Sequence, residues 1–424
     1  MFSFLKGNVL VMTVTGILGF FARGAVVPYV SLYILALGGT SGNIGFIDAL
    51  RPLASLAIFP VAGYIADRSG RIRLIVFAMV LSAIINLFYI FANDWTMFAI
   101  GSFFSGLIVF HFPASSALMA DSLPPEQRGI GFATSSAIPG LIAVVAPYFA
   151  GFLIDEMGIE IAMRYLYTLM LVCYAASAAI QLKFLKDTVE RSRLKVGLND
   201  LRTLMIEAYR DIVTVLKWMP LGVKGFTLII TFCFVANAIA GPFWVVYGTQ
   251  VIGLSASEWG FLILVSSLVR TVLSIPAGAV VDRFSKRKII ITSFVLTLPS
   301  VLYFPFAQDF IEVLMILLLL SIASAFLIPA SSSLMADIVP REMRGRVMAA
   351  IGRGSLMINP GRAGLGGPNM GFLVAIPLML GLVLGGYLYD VNSSYLWMFQ
   401  FTFLCGSLIV SLTLLREPVK GEIK

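Results

Sequence analysis

A chain of 424 residues that is 59% hydrophobic and 12% charged, with a mean hydropathy of +0.95, is not a soluble protein. Its formal net charge of +8 would point to nucleic acid in a soluble chain; here it reflects cationic loops facing anionic lipid, and no nucleic-acid partner is expected. The three cysteines, Cys173, Cys233 and Cys405, lie far apart within apolar runs, as small packing residues rather than a disulfide set or a metal site.

About 20 apolar residues cross a bilayer as a helix. Twelve such spans are expected, at residues 8–38, 42–66, 72–93, 95–121, 129–154, 162–186, 222–252, 257–281, 288–308, 310–336, 370–389 and 392–415. All must be helical, because in hydrocarbon each backbone N–H and C=O needs an internal partner. The first run is too long for the apolar core of a cleavable signal, so none is expected. Residues 1–186 form a first six-span bundle, 187–221 a polar basic linker, and 222–424 a second bundle. Short loops make the first six helices antiparallel neighbours. In the linker, Leu201, Leu204, Met205, Ile212, Val215, Leu216 and Met219 recur at helical spacing opposite Arg202, Glu207, Arg210, Asp211 and Lys217, which predicts an amphipathic surface helix.

Charge placement sets the orientation. Lys6, Arg68, Arg71, Arg73, Arg128, the run Lys183 to Lys224, Arg283, Lys286 to Lys288, Arg341, Arg344 and Arg346 all fall on one side. Asp94, Asp155, Glu156, Glu160, Glu258, Asp309, Glu312 and Asp390 fall on the other, with Arg164 as their one cation. Cationic loops stay in the cytoplasm, so both termini are expected there, in a multi-pass protein of the cell membrane.

The two halves repeat. Pro113-Ala114-Ser115-Ser116-Ala117-Leu118-Met119-Ala120-Asp121 recurs as Pro329-Ala330-Ser331-Ser332-Ser333-Leu334-Met335-Ala336-Asp337, an offset of 216, and Arg128-Gly129 recurs as Arg344-Gly345. Pro28 and Tyr33 match Pro242 and Tyr247 at 214, and Asp67 matches Asp282 at 215. Four matches in register indicate duplication. The halves differ in one place: Arg128 to Asp155 is 27 residues and Arg344 to Asp390 is 46, an insertion of 19. It contains Asn359-Pro360-Gly361-Arg362-Ala363-Gly364-Leu365-Gly366-Gly367-Pro368-Asn369, which cannot be continuous helix. Two readings are open for this region, about 342–369. One is a cytoplasmic helix from Glu342 to Ile358 followed by a loop; the other is a broken segment dipping into a cavity. No phosphate-cradling motif is complete there.

Between spans 2 and 3, Gly63-Tyr64-Ile65-Ala66-Asp67-Arg68-Ser69-Gly70-Arg71-Ile72-Arg73 breaks two apolar runs with one Asp and three Arg. A second copy is Gly278-Ala279-Val280-Val281-Asp282-Arg283-Phe284-Ser285-Lys286-Arg287-Lys288. Gly63 lacks a Cβ, which allows close helix approach, and Gly70 permits a positive φ. The pair resembles the G-x-x-x-D-R-x-G-R-[RK] signature of the major facilitator superfamily, degenerate at Ser285 in the second copy. That resemblance implies an all-α polytopic membrane protein, with 12 transmembrane helices in two pseudo-symmetric six-helix halves. It implies a secondary transporter that binds a small molecule between the halves near mid-membrane and releases it by alternating access. No cofactor, metal or enzymatic activity is implied; the partners are a small-molecule substrate, the lipid bilayer and H+ as a candidate coupling ion, with the chain a monomer. On the same resemblance Gly63, Asp67, Arg68, Gly70 and Arg71, and Gly278, Asp282, Arg283 and Arg287, are gating loops. Two departures bear on the branch. Drug–proton antiporters of the family carry an Arg in span 4 where Ser102 stands ahead of Gly106. Their span-5 G-P-x-x-G-G is present only in part, as Ala146-Pro147-Tyr148-Phe149-Ala150-Gly151.

Few charges fall inside spans, and each must face a cavity or a partner, since a mid-helix arginine costs about 2.5–3.5 kcal/mol to insert. Arg23 in span 1 matches Asn237 in span 7 at offset 214, so both are expected to line the substrate cavity; pairing that holds one conformation is the structural alternative for Arg23. Asp48 and Arg51, one turn apart in span 2, read as an ion pair or, for Asp48, a proton acceptor. Arg270 in span 8 has no sequence-local partner and reads equally as substrate contact or ion pair. His111, the single histidine, is either a packing residue or a proton carrier. Tyr33 and Tyr247 join the expected cavity lining. Three arginines against one Asp favour an anionic or zwitterionic substrate, with amphipathic drug efflux by proton antiport as the alternative. Asp67→Asn is expected to slow transport in proteoliposomes while leaving membrane insertion intact; normal flux by well-expressed variant would remove its gating role.

Overall fold

The computed structural model describes residues 5–68, 70–188, 206, 210, 212–358, 360, 371–415 and 417, with the side chains of 59–68 outside the description. In chain order the helices are α1 Gly7–Ala36, α2 Ser41–Arg68, α3 Arg71–Ile90, α4 Trp95–Asp121, α5 Pro125–Met157, α6 Ile159–Phe184, α7 Leu221–Gln250, α8 Ala256–Arg283, α9 Lys286–Phe306, α10 Phe310–Ile338, α11 Arg341–Ile351, α12 Phe372–Val391 and α13 Ser393–Thr413. All except α2 and α11 are long and apolar enough to cross a membrane, by length and composition, among the described residues. α2, a 28-residue helix, occupies the place of the second expected span. There is no strand among the described residues.

Local chemistry explains the boundaries. Asp94 caps α4 by accepting from Met97 N at 2.9 Å, and Asp309 caps α10 by accepting from Glu312 N at 2.9 Å. These two caps are repeat equivalents. The Thr96 hydroxyl and the Met97 N–H hold the Asp94 carboxyl below the usual carboxylate range. Ser255 and Glu258 open α8 with a reciprocal capping box. Pro28 and Pro242 each introduce a 3-10 turn, at Val27–Tyr29 in α1 and Gly241–Phe243 in α7. α5 breaks between Ala143 and Ala146, just before Pro147, which has no N–H to give the preceding turn.

The chain divides into two units, one of Met1–Gly38 with Leu50–Ala208 and one of Gly39–Ala49 with Tyr209–Lys424. In the first, α1 packs on α5 and α6, and α3 on α4 and α6. In the second, α7 packs on α12 and α13, and α9 on α10 and α13. The same neighbours recur, as duplication demands. One brace recurs too: Tyr33 donates from its hydroxyl to Tyr89 O at 2.9 Å, and Tyr247 donates to Pro305 O at 2.8 Å. Around these hydroxyls stand aromatic clusters, Tyr89, Phe98 and Tyr167 in the first unit and Trp244, Phe304 and Trp397 in the second.

Of the expected linker helix, 187–221, most lies outside the described residues. Residues 212–218 are helical, and Val215 and Met219 are buried.

The inserted region differs from the first of its two readings. The helix stops at Ile351 rather than Ile358, because Gly352 at φ +86° turns the chain out of it. Residues 353–358 are then non-helical, and Leu356 (0% exposed) and Ile358 (3%) are buried inside the second unit. Gly371 returns so close to Gly352 that a Cβ would overlap the backbone of Ile351 and Gly352. The offset to the first half is 216 before this excursion and 390 − 155 = 235 after it. The 19 extra residues are therefore an insertion within the helix equivalent to α5, with α11 and α12 as its two pieces. Arg353 is exposed, and Arg362 lies outside the described residues.

Glycine makes a close helix contact in the second unit. At Gly385 in α12 a Cβ would overlap the Ile239 carbonyl of α7. Gly385→Val is expected to lower the unfolding midpoint of detergent-purified protein, since overpacking costs about 1–3 kcal/mol or more. An unchanged midpoint would show that α7 and α12 separate freely there.

Candidate functional site

In the first unit polar groups converge from four helices, with Arg23 and Arg51 exposed and His111 and Tyr174 half-buried. Arg23 lies near the middle of α1, and both His111 of α4 and Tyr174 of α6 are within its electrostatic reach. Arg51 of α2 also faces Tyr174 and donates from Nε to Ser105 Oγ at 3.1 Å. Gly106 makes that approach possible, because any Cβ there would overlap the Arg51 carbonyl. Neither arginine has a carboxylate partner among the described residues. His111 places Nδ1 2.6 Å from Ile108 O; a carbonyl only accepts, so Nδ1 carries the hydrogen and Nε2 is the nitrogen left to take a proton. Asp48 is half-buried in α2 and belongs to the second unit, whereas Arg51 belongs to the first.

In the second unit Arg270 of α8 lines a cavity of about 20 Å³, room for one small group. Ser266 and Ser267 flank it, Ser321 and Ser324 of α10 face it, and Ile358 and Pro360 of the inserted segment close it. Arg270 has no ion pair among the described residues, which removes the pairing reading within them. The segment is held by side chains from the helices. Ser324 Oγ donates to Ile358 O at 2.9 Å, Asn237 Nδ2 donates to Met357 O at 2.6 Å, and Leu356 N donates to Ser331 Oγ at 2.9 Å. Ser331 and Ser324 lie two turns apart, so the extended chain follows α10 for about 10 Å of its depth.

Three cavity expectations need correcting. Asn237 does not match Arg23 in role, since its amide is committed to the Met357 and Cys233 carbonyls. Tyr33 (0% exposed) and Tyr247 (5%) are structural braces, their rings inside aromatic clusters and their hydroxyls bonded to backbone. Polar and aromatic residues at repeat-equivalent positions marked a shared structural need here rather than a shared ligand.

At the cationic end the ion pairs fall on residues other than the motif aspartates. Arg71 pairs with Asp121 at the end of α4, and Lys286 pairs with Asp337 at the end of α10. Thr188 joins the first pair, accepting from Arg71 at 3.2 Å. Arg128 Nε donates to Ala120 O at 3.1 Å, and Arg344 Nε donates to Val339 O at 3.2 Å, so each arginine covers the bare carbonyls of a helix C-terminus. Arg287 does the same for α13, donating from Nε to Ser411 O at 3.2 Å. The repeated Ala-Asp and Arg-Gly pairs carried this signal in the sequence. Asp282 and Arg283 are exposed, with no hydrogen bond or ion pair among the described residues, and Gly278 faces open space rather than a helix. Gly70 does hold positive φ, at +80°, as the residue before α3. The side chains of Gly63, Asp67 and Arg68 lie outside the described residues. On the opposite end Arg164 pairs with Glu160 at 2.8 Å. No group of three His, Cys, Asp or Glu side chains is placed to hold a metal among the described residues.

Two units of membrane-length helices with the same internal packing define a duplicated polytopic helical fold. The family model described as Major Facilitator Superfamily matches residues 12–245 and 226–423, and the chain belongs to that superfamily. Multidrug resistance protein MdtG of Escherichia coli O6:K15:H31 (strain 536 / UPEC) is 26% identical over 401 residues, covering 89% of this chain and 92% of the relative. A bacterial homolog of the human lysosomal transporter Spinster, in an inward-facing and occupied conformation, has the same fold at a TM-score of 0.70, with 14% identity over 97% of each chain. A D-xylose-proton symporter matches at 0.68, with 14% identity over 98% of each chain.

The Lys286–Asp337 pair is the cleaner of the two for measurement. A double-mutant cycle with Lys286→Met and Asp337→Asn is expected to give a coupling of about 0.5–1 kcal/mol in unfolding free energy. Zero coupling would make the contact incidental.

Proposed function

We propose that the chain exports amphipathic organic molecules carrying a negative charge, by alternating access, across the cell membrane. The observation that carries the charge preference is the absence of carboxylate partners for Arg23, Arg51 and Arg270 among the described residues. An uncompensated guanidinium at membrane depth is costly, and an anionic substrate offsets that cost while bound. Export rather than uptake follows from the relatives named multidrug resistance protein, which align over most of both chains. The departure at Ser102 fits this reading: the cation that family drug antiporters carry on span 4 is supplied to the same stretch of α4 by Arg51, through Ser105. Asp48 and His111 are the candidate proton carriers, His111 through Nε2. The arginine and lysine asymmetry places both termini in the cytoplasm.

The test is efflux from proteoliposomes under an imposed pH gradient, using paired aromatic carboxylates and their neutral amides. Arg23→Gln is expected to slow carboxylate efflux about tenfold, the loss of one charge-assisted contact, with little effect on the amides. Equal rates for carboxylate and amide in the unsubstituted protein would overturn the charge preference. A gradient-independent flux would remove proton coupling.

A further inference from the structure

The cavity at Arg270 is closed by residues that have no counterpart in the first unit. Ile358 and Pro360, which form one wall, belong to the 19-residue insertion, while Arg270 and Ser266 lie one turn apart on α8. The Ser266 hydroxyl is buried and has no hydrogen-bond partner. Arg270 has neither ion pair nor hydrogen bond among the described residues. Among the described residues of the insertion, Ile358 and Pro360 bring it no carboxylate, and the Met357 and Ile358 carbonyls are taken by Asn237 and Ser324. What remains is one fixed positive charge, the unspent Ser266 hydroxyl, the Ser321 hydroxyl of α10, and about 20 Å³ of space. Such a cavity complements one small monoanionic group. A cation is repelled, and a neutral polar group leaves the guanidinium uncompensated.

We propose that this cavity is an anion subsite, with Arg270 and Ser266 as donors, and that the inserted segment sets the size of the group it admits. The proposal rests on the export reading only for the source of the anion, which is either the carboxylate of a transported molecule or a free halide. The three tethers from Asn237, Ser324 and Ser331 keep the segment in the wall. Ile358 therefore acts as a specificity-determining residue that the first unit lacks.

The experiment measures the unfolding midpoint of the full-length protein in nanodiscs, in chloride-free gluconate buffer, titrated separately with chloride and with benzoate. At least one anion is expected to raise the midpoint saturably. Arg270→Gln abolishes the rise, and Ser266→Ala weakens apparent affinity about three- to tenfold, the loss of one hydrogen bond to a charged group. Ile358→Ala raises the ratio of benzoate to chloride affinity, because its truncated side chain enlarges the wall. Chloride binding that benzoate does not displace assigns the site to a free ion; mutual displacement assigns it to cargo carboxylates. If Arg270→Gln does not fold, Arg270→Lys serves, with weaker binding expected because the guanidinium fork is lost. No shift with either anion, or an unchanged shift in the Arg270 variant, overturns the subsite. An unchanged ratio in Ile358→Ala overturns the role of the insertion. This readout does not depend on flux, so absent export with intact anion binding would refute the export reading and leave the subsite standing.

Discussion

At membrane depth a backbone amide or carbonyl has no water to turn to, and that constraint shapes the chain from end to end. It makes the spans helical, and it limits departures from helix to places where a side chain takes over the lost bond. The proline turns in α1 and α7 are brief for this reason. A longer departure follows Gly352, where Asn237, Ser324 and Ser331 bond the backbone of Leu356 to Ile358 as helix would have done. Side chains that look like ligand-binding groups in isolation are there spent on holding polypeptide.

Charge follows a different rule at the ends of the helices from the one it follows inside them. At the cationic end, Arg71, Lys286, Arg128, Arg287 and Arg344 find aspartates or exposed helix carbonyls, and the arrangement is repeated in the two halves. Inside, Arg23, Arg51 and Arg270 find hydroxyls, rings or open space and no carboxylate among the described residues.

The two units share architecture and differ in chemistry. Both carry the tyrosine brace, the Asp N-cap before the fourth span and the ion pair at its far end. The first keeps Arg23, Arg51 and His111 on a framework of ordinary spans. The second interrupts the helix equivalent to α5 and sets Ile358 and Pro360 of the extra residues against Arg270. Duplication supplied the common scaffold, and the insertion supplied an asymmetry that a single round of copying could not.

Composition and pattern alone determined the twelve-span helical class, the duplication, the family resemblance and the position and length of the insertion, because these follow from hydropathy and from residues repeated at fixed offsets. The same reasoning singled out Arg23, Arg51 and Arg270, since any mid-span arginine stands out against apolar neighbours, but it read Arg51 as a partner of Asp48 and left pairing open for the other two. It misread Tyr33, Tyr247 and Asn237, because sequence shows that a polar group is present without showing what it bonds. It did not show that Lys286 pairs with Asp337, because partners 51 residues apart meet only once α9 and α10 are packed together. It left two readings of the insertion open; what tertiary structure added is that the helix ends at Ile351 and that residues 356–358 are held by Asn237, Ser324 and Ser331, bonds from other helices that no local pattern records.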